Sequence, residues 1–353
     1  MIRKVVATLL FLISFLTCDL WFTPYGRAQI EPSYIYKGRT IRIVVGTTPG
    51  GLYDRWARLL ARRMPEHILG HPEMIVQNMA GASSLIATNY VYKVAKPDGL
   101  TVVMPLGNIY LEQLVGRKEV EFDVLKFHWI GTQEKSHTVL YIRADAPYTS
   151  IGDIINAKEP PKCGSTGTAS ADYVFSRILE EAVGAKISTV VGYPGGSEVD
   201  LAVERGEVVC RGQTIAAHFS REATITWHKK GFIRHLAQSG RKRDSRLPDT
   251  PTIYELMDSY KTSEVKRRVA DVILTAGEFG RPMLVTPGTP PERVKVLREA
   301  YSKAMKDPEL LAEAKKRRMD VEPSSGEELQ ALAKQVMDQP REVVERVQKI
   351  LGK

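Results

Sequence analysis

Twice along this chain, short apolar runs rich in β-branched residues alternate with segments whose apolar side chains recur every three or four residues. That alternation constrains the fold more tightly than composition does. "TIRIVVG" reads as a strand entering a helix in which Trp56, Leu59, Leu60 and Met64 share one face, ending near Gly70. "MIVQNM" follows as a strand, "GASSLIATNYVYKVA" as a helix closed by the turn "KPDG", and "LTVVMPLG" as a third strand. After the extended "HTVLYIRADAP" and the short helix "SIGDIINAK", the pattern returns. "PPKCGST" leads to the helix "ADYVFSRILEEAVG", then "KISTVVGY" to "SEVDLAVERG" and the strand "EVVCRGQT". Strands separated by helices predict parallel sheets covered on both faces, so two such units predict an α/β protein of two lobes. After "RLPDTPT" helices dominate, with the strand "PMLVTP" among them, and this tail is expected to pack back on the first lobe. The expected organisation is residues 36–135 with 275–353 as lobe 1 and 136–274 as lobe 2.

The amino terminus follows other rules. Arg3 and Lys4 precede an apolar run, and "PYGRAQ" offers small residues for a cut after Ala28, so residues 1–28 read as a secretory signal peptide. The run is broken by Asp19 and falls short of the about 20 apolar residues that span a bilayer. No second such run follows, so the mature chain is expected to be a soluble protein outside the cytoplasm. Cys163 and Cys210 remain in it. Both lie late in second-lobe strands that a doubly wound order can make neighbours; free, buried thiols are the expectation, because two cysteines do not make a stapled scaffold. The formal charge of +9 is spread over helices with acidic neighbours, as in "EVKRRVAD", which excludes a nucleic-acid stripe and leaves a mild attraction for small anions.

In open parallel sheets ligands sit beyond the carboxyl ends of the strands, where helix starts present amides without intrahelical partners. "TPGGLYD" supplies such a corner. Gly50 and Gly51 let the backbone come close, Pro49 stiffens the approach, and Asp54 falls in the first turn, to cap free amides or meet a ligand's donor. "STGTASAD" sets the hydroxyls of Ser165, Thr166, Thr168 and Ser170 around Gly167, and "GYPGGSE" adds Tyr193, Gly195 and Gly196. Two lobes facing each other through these corners would grip one small anion without a catalyst.

Catalytic and cofactor signatures are missing from the sequence. The corner lacks the spacing and the lysine of a P-loop, no G-x-G-x-x-G follows a strand, and there is no G-x-S-x-G elbow. His67 and His71 are four apart, but Gly70 and Pro72 end the helix there and no third ligand is in view, so no metal and no cofactor is expected. A hydrolase using Ser165 or Ser170 with Asp172 is the enzymatic alternative, and it lacks a histidine nearby in sequence.

Six segments in order carry a resemblance: "PGGLYD", "VQNMAGASS", "KPDGLT", "VGYPGGSEVDLAVERGEV", "RLPDTPT" and "TPGTPPERV". Over nearly all of the mature chain the sequence resembles the periplasmic solute receptors of tripartite tricarboxylate transporters, the TctC or Bug family. The resemblance implies a Venus-flytrap, periplasmic-binding-protein fold of type II-like form, with a cleft between the lobes. It also implies a small organic acid held largely by main-chain amides and bridging waters, and delivery to membrane permease subunits. The expected receptor is no enzyme but a monomer; a signalling partner in place of the permease is the other receptor reading. Carried onto this chain, the ligand-binding set is Pro49, Gly50, Gly51, Tyr53 and Asp54, Ala82 and Ser83, Asn108, then Thr166, Gly167, Thr168, Ala169 and Ser170, with Tyr193, Gly195 and Gly196 nearby. The chain departs from the family where Ala169 replaces a second glycine and where "GYPGG" replaces the commoner Pro-Tyr start, so ligand identity does not carry over.

Overall fold

The computed structural model describes residues 35–168 and 170–351. The expected signal peptide and Ala169 lie outside the described residues.

Two sheets organise the chain. The first has the order β11-β4-β10-β3-β1-β2, with β1 (Thr40–Val45), β2 (Glu73–Asn78), β3 (Thr101–Met104), β4 (His128–Thr132), β10 (Pro282–Val285) and β11 (Ser324–Ser325). The second has the order β7-β6-β8-β5-β9, from β5 (Thr138–Arg143), β6 (Lys162–Ser165), β7 (Ser188–Val191), β8 (Cys210–Thr214) and β9 (Ile233–Gln238). Each predicted strand forms. The sheets are mixed, however, and not parallel throughout. β1 runs parallel to β2 and β3, but β10 is antiparallel to β3 and β4. β6 runs parallel to β7 and β8, but β5 is antiparallel to β8 and β9.

Apart from the two-residue β11, which is antiparallel to β4, the exceptions are the strands by which the chain enters each sheet from the other. β4 ends at Thr132 on the edge of the first sheet where β1 and β3 also end. Residues 133–137 then cross, and β5 enters the second sheet at the edge where β6, β8 and β9 end. The chain returns through the helices Ile253–Ser259, Glu264–Leu274 and Ala276–Phe279 and enters the first sheet as β10, again from its carboxyl edge. Two short crossings that both join carboxyl edges bring those edges face to face. Side-chain periodicity says which face of a strand is buried but nothing about its direction, so this reversal was invisible in the sequence.

The helices cover the sheets as their apolar faces require. Leu52–Arg63 buries Trp56, Leu59 and Leu60 against the first sheet, at about 1.5–3 kcal/mol for each aliphatic side chain removed from water. In the tail, Pro291–Ala304 and Gly326–Met337 pack on β4 and Pro308–Lys316 on Leu52–Arg63. The last helix, Arg341–Leu351, bridges the two sheets' helices. It packs on Glu264–Leu274 and on Ala171–Val183, which belongs to the second sheet, and touches Ile109–Leu114 of the first. Arg346 pairs with Glu181 at 2.6 Å, and Arg117 Nη2 donates to the Leu351 carbonyl at 3.1 Å. One apolar cluster therefore continues from Val103 and Trp129 through Tyr110 and Ile273 to Leu140 and Ile178, and Val347 is part of it.

Cys163 and Cys210 stand opposite each other in the parallel pair β6–β8 and form a disulfide, which corrects the expectation of free thiols. The strand order supplies the proximity: both cysteines sit on the same rung, with Cα atoms 4.3 Å apart.

Candidate functional site

At the first corner, β1 ends and residues 46–51 turn into the helix Leu52–Arg63. Gly50 has φ +85°, the left-handed region, so its glycine is a backbone requirement. Gly51 is extended at φ −70° and ψ 172°, and makes no side-chain cap. Asp54 takes the capping role itself: its Oδ2 accepts from Gly50 N at 2.9 Å and from Arg58 Nε at 2.9 Å. Burial works to raise its pKa, but the hydrogen bonds from Arg58, Gly50 N and Asn78 prevail and hold the carboxyl below the usual range. Its Oδ1 is buried without a partner. Tyr53 is also committed, since its hydroxyl accepts from Gly107 N at 3.2 Å and donates to the Gly280 carbonyl at 3.1 Å. It braces the corner.

The neighbouring loop holds a conformation that the sequence did not reveal. Gly81 has φ +139°, and Ala82, Ser83 and Ser84 follow at +44°, +53° and +73°. The helix therefore starts at Leu85, later than the periodicity suggested. Three successive non-glycine residues in the left-handed region cost on the order of 1–3 kcal/mol each and cluster at functional loops. Ser84 offsets part of that cost by donating from Oγ to the Gly46 carbonyl at 3.0 Å and accepting from Leu106 N at 3.2 Å. It thus ties the loops after β1 and β3 together, a role missed in the sequence because a helix-start serine reads only as a cap.

In the second half, β6 ends at Ser165 and the loop 166–170 enters the helix Ala171–Val183. The hydroxyls expected to face a ligand are partly spent on the protein. Ser165 Oγ donates to Asp172 Oδ1 at 2.9 Å, Ser170 Oγ also bonds that oxygen, and Tyr173 N donates to it at 3.0 Å. Gly167 N reaches Ser165 Oγ at 3.3 Å, and Ser170 N reaches the Gly167 carbonyl at 3.1 Å. Burial raises the pKa of Asp172, opposed chiefly by Arg211 and the two serines. Among the described residues no histidine bonds Ser165 or Ser170, so the serine–aspartate pair lacks the base a hydrolase would use. Thr168 is exposed; with Val174 of this half it lines a small cavity to which the first half contributes Asn108, Leu111 and Glu112, and the last helix Leu351. This cavity joins candidate loops from both halves.

Tyr193 N donates to the Ser165 carbonyl at 3.4 Å, which sets the third loop beside the second. Gly195 then caps the helix Gly196–Arg205 with extended backbone and no side-chain bond. Beneath lies a buried charge cluster that was not predicted. Asp200 Oδ1 accepts from Tyr141 at 2.9 Å and pairs with Arg211, and Arg221 Nη1 pairs with its Oδ2 at 2.6 Å. The sequence held a signal, since Asp200 follows buried Val199 on a helix and Arg211 interrupts a strand, and charges buried in this way need partners.

The two crossings are tied by a second buried ion pair, between Glu134 and Arg281. Glu134 also accepts from Trp56 Nε1 at 2.7 Å, the Arg281 guanidinium lies 4.8 Å from the Tyr53 ring centre, and Ser136 N donates to the Gly277 carbonyl at 2.7 Å. The bracing of the first corner is thus continuous with the crossings. His67, considered for metal, bonds Asp307 at 3.0 Å.

Two mixed sheets joined through their carboxyl edges define the class: a two-lobed α/β binding protein. The model of the tripartite tricarboxylate transporter family receptor, TctC, matches residues 56–350, and the chain belongs to that family. A Cupriavidus necator relative, described as the UPF0065 protein in the gbd 5' region, is 30% identical over 276 residues, 76% of each chain. Among solved structures, the periplasmic binding protein BugD superposes with a TM-score of 0.66 at 24% identity, covering 89% of this chain and 98% of that one. A Rhodopseudomonas palustris protein solved with adipate superposes at 0.67 and 23% identity, covering 89% and 98%. MatC from the same organism, with bound malate, superposes at 0.65 and 18% identity, covering 89% and 99%.

Proposed function

We propose that this protein is an extracytoplasmic receptor that holds a small organic carboxylate between its halves and delivers it to the permease subunits of a tripartite tricarboxylate transporter. In this reading the lobes are residues 36–135 with 275–353 and residues 136–274, the leader directs export to the periplasm, and the mature chain acts as a monomer. The observation that carries the reading is strand direction. Both crossings join carboxyl edges, which supports a cleft in which the loops at 47–54, 81–84 and 105–109 face those at 166–172 and 192–196. Helix starts on both sides then offer dipoles and amides to one anion, although Asp54 and Asp172 already occupy part of each start. The ligand is therefore held by the amides these two carboxylates leave over, and by water.

The malate and adipate named with two structures of the same fold support a solute of similar size for this cleft. Hydrogen bonds to a charged group contribute roughly 1.5–3 kcal/mol each, so a few of them, less the cost of ordering, correspond to micromolar capture at about −8 kcal/mol. Isothermal titration of the mature protein against mono-, di- and tricarboxylates tests this. Micromolar binding of at least one acid is expected; binding of a neutral or cationic solute with none of the acids would overturn it.

A further inference from the structure

Of the helix starts on the second half's side of the cleft, Ile215–Ser220 is capped by the Thr214 side chain, and the other two differ in what already meets them. At Ala171–Val183, Asp172 supplies the protein's own anion. At Gly196–Arg205 no side chain caps the start by a hydrogen bond; Glu198 stands in the first turn with Oε2 2.8 Å from the point a Cβ on Gly195 would occupy, and the Arg211 guanidinium lies beneath Gly196. Arg211 is only 6% exposed. Its Nη1 is held by the Gly196 carbonyl at 2.6 Å and by Asp200. Its Nε makes no hydrogen bond and stands 3.9 Å from Asp172 Oδ2, beyond hydrogen-bond reach. Its Nη2 lies 2.6 Å from the point a Cβ on residue 196 would occupy. Gly196 is thus the residue that leaves this end of the guanidinium uncovered, and any side chain there would displace it.

Asp172 and Asp200 balance Arg211 and Arg221, so the cluster costs no net buried charge and fixes the guanidinium in place. A fixed guanidinium that retains an unused N–H loses little entropy when it binds a planar anion.

We propose that Arg211 is the ligand-recognising cation of the second half: Nη2, with the amides at the start of Gly196–Arg205, takes a second carboxylate of the solute, and the ligand class is a dicarboxylate. This rests on the receptor reading above and goes beyond it in naming the residue and the class.

The test is calorimetry with aliphatic dicarboxylates of four to six carbons and with the mono-methyl ester of each, on the wild-type protein and on two variants. Arg211→Lys keeps the charge and loses the fork. Gly196→Ala keeps the arginine and covers Nη2, and serves if Arg211→Lys fails to fold with Asp172 and Asp200 left short of donors. Wild type should prefer the diacid over its half-ester by roughly 10- to 100-fold, the range for one charge-assisted hydrogen bond. In a variant whose thermal midpoint is preserved, that ratio should collapse towards one. Persistence of the ratio in Gly196→Ala, or equal affinity of wild type for diacid and half-ester, overturns the assignment of Arg211 while leaving the receptor reading intact. Binding of no carboxylate by wild type overturns both.

Discussion

Reduction of the Cys163–Cys210 disulfide should cost about 4 kcal/mol, because the bond closes a loop with a sequence separation of 47. Cross-linking removes chain entropy from the unfolded state by roughly 2.1 + 1.5R ln n cal/mol/K, and with n near 47 at about 298 K this amounts to about 4 kcal/mol. The bond is also protected. Cys163 is 1% and Cys210 0% exposed, so a reductant reaches the sulfurs only when the second half opens. The assay is urea unfolding of the wild-type protein, followed by tryptophan fluorescence, to which Trp56, Trp129 and Trp227 contribute, oxidised and after reduction under denaturing conditions. Comparing the same chain with and without the bond avoids the cavity that a Cys→Ala pair would leave. Titration of denatured, unreduced protein should find no thiol in the mature chain. Two titratable thiols, or a difference below about 1 kcal/mol between the oxidised and reduced forms, would refute the reasoning.

Three further outcomes follow from the geometry. A Cβ on Gly280, at φ +56° and ψ −109°, would lie 1.8 Å from the Glu134 carbonyl oxygen, so Gly280→Ala should destabilise the crossings by at least about 2 kcal/mol and lower the thermal midpoint. Tyr53→Phe removes both hydrogen bonds that join Gly107 to Gly280, costing about 1–3 kcal/mol, and should weaken carboxylate binding more than it lowers the midpoint; an unchanged affinity would show the corner needs no brace. His218 Nε2 and His235 Nε2 lie 3.0 Å apart, and burial, reinforced by neighbouring positive charge, lowers their pKa values from 6.5 to about 2 and about 4. Between pH 6.5 and 4 the unfolded chain binds these protons and the folded chain does not, so their stabilisation is complete above pH 6.5 and is lost as the pH falls. Each contributes about 1.4 kcal/mol per pH unit in that window, and His235→Gln should reduce the slope of stability against pH by that amount; an unaltered slope contradicts it.

How much of this was legible in the sequence depends on what kind of information each feature needs. The corner at Gly50 was readable, because a left-handed turn between strand and helix leaves a glycine behind. The corner at Gly196 was readable as a turn but not as the opening over Arg211, because that requires knowing that β8 runs beside β6. The disulfide was half legible: both cysteines were placed late in strands that could be neighbours, but only the strand order makes them rung partners. The reversed direction of β5 and β10 follows from where the chain crosses, which no local pattern encodes. Ser84 and its two predecessors adopt left-handed backbone without glycine, held there by contacts to Gly46 and Leu106 that lie far away in sequence. The hydroxyls of Ser165 and Ser170 were pictured as facing a ligand, and Asp172 was set beside them only in the hydrolase alternative; its carboxylate in fact engages both hydroxyls.

A groove of about 530 Å³ between Ala171–Val183 and Arg341–Leu351 offers a competing seat, lined by Arg177, Glu180, Glu181 and Arg346 among others. Arg177 pairs there with Glu180 and Arg346 with Glu181, and Glu342 and Glu345 add carboxylates that oppose an acid, leaving Lys349 as the lining cation outside these two pairs. A crystal structure of the mature protein with a bound four- to six-carbon dicarboxylate separates the two seats in one measurement. The account predicts one carboxylate against the loop at 49–54 and the other beside Arg211 and Gly196. An acid seated in the groove, or a pair of halves whose carboxyl edges do not converge on it, would contradict the account.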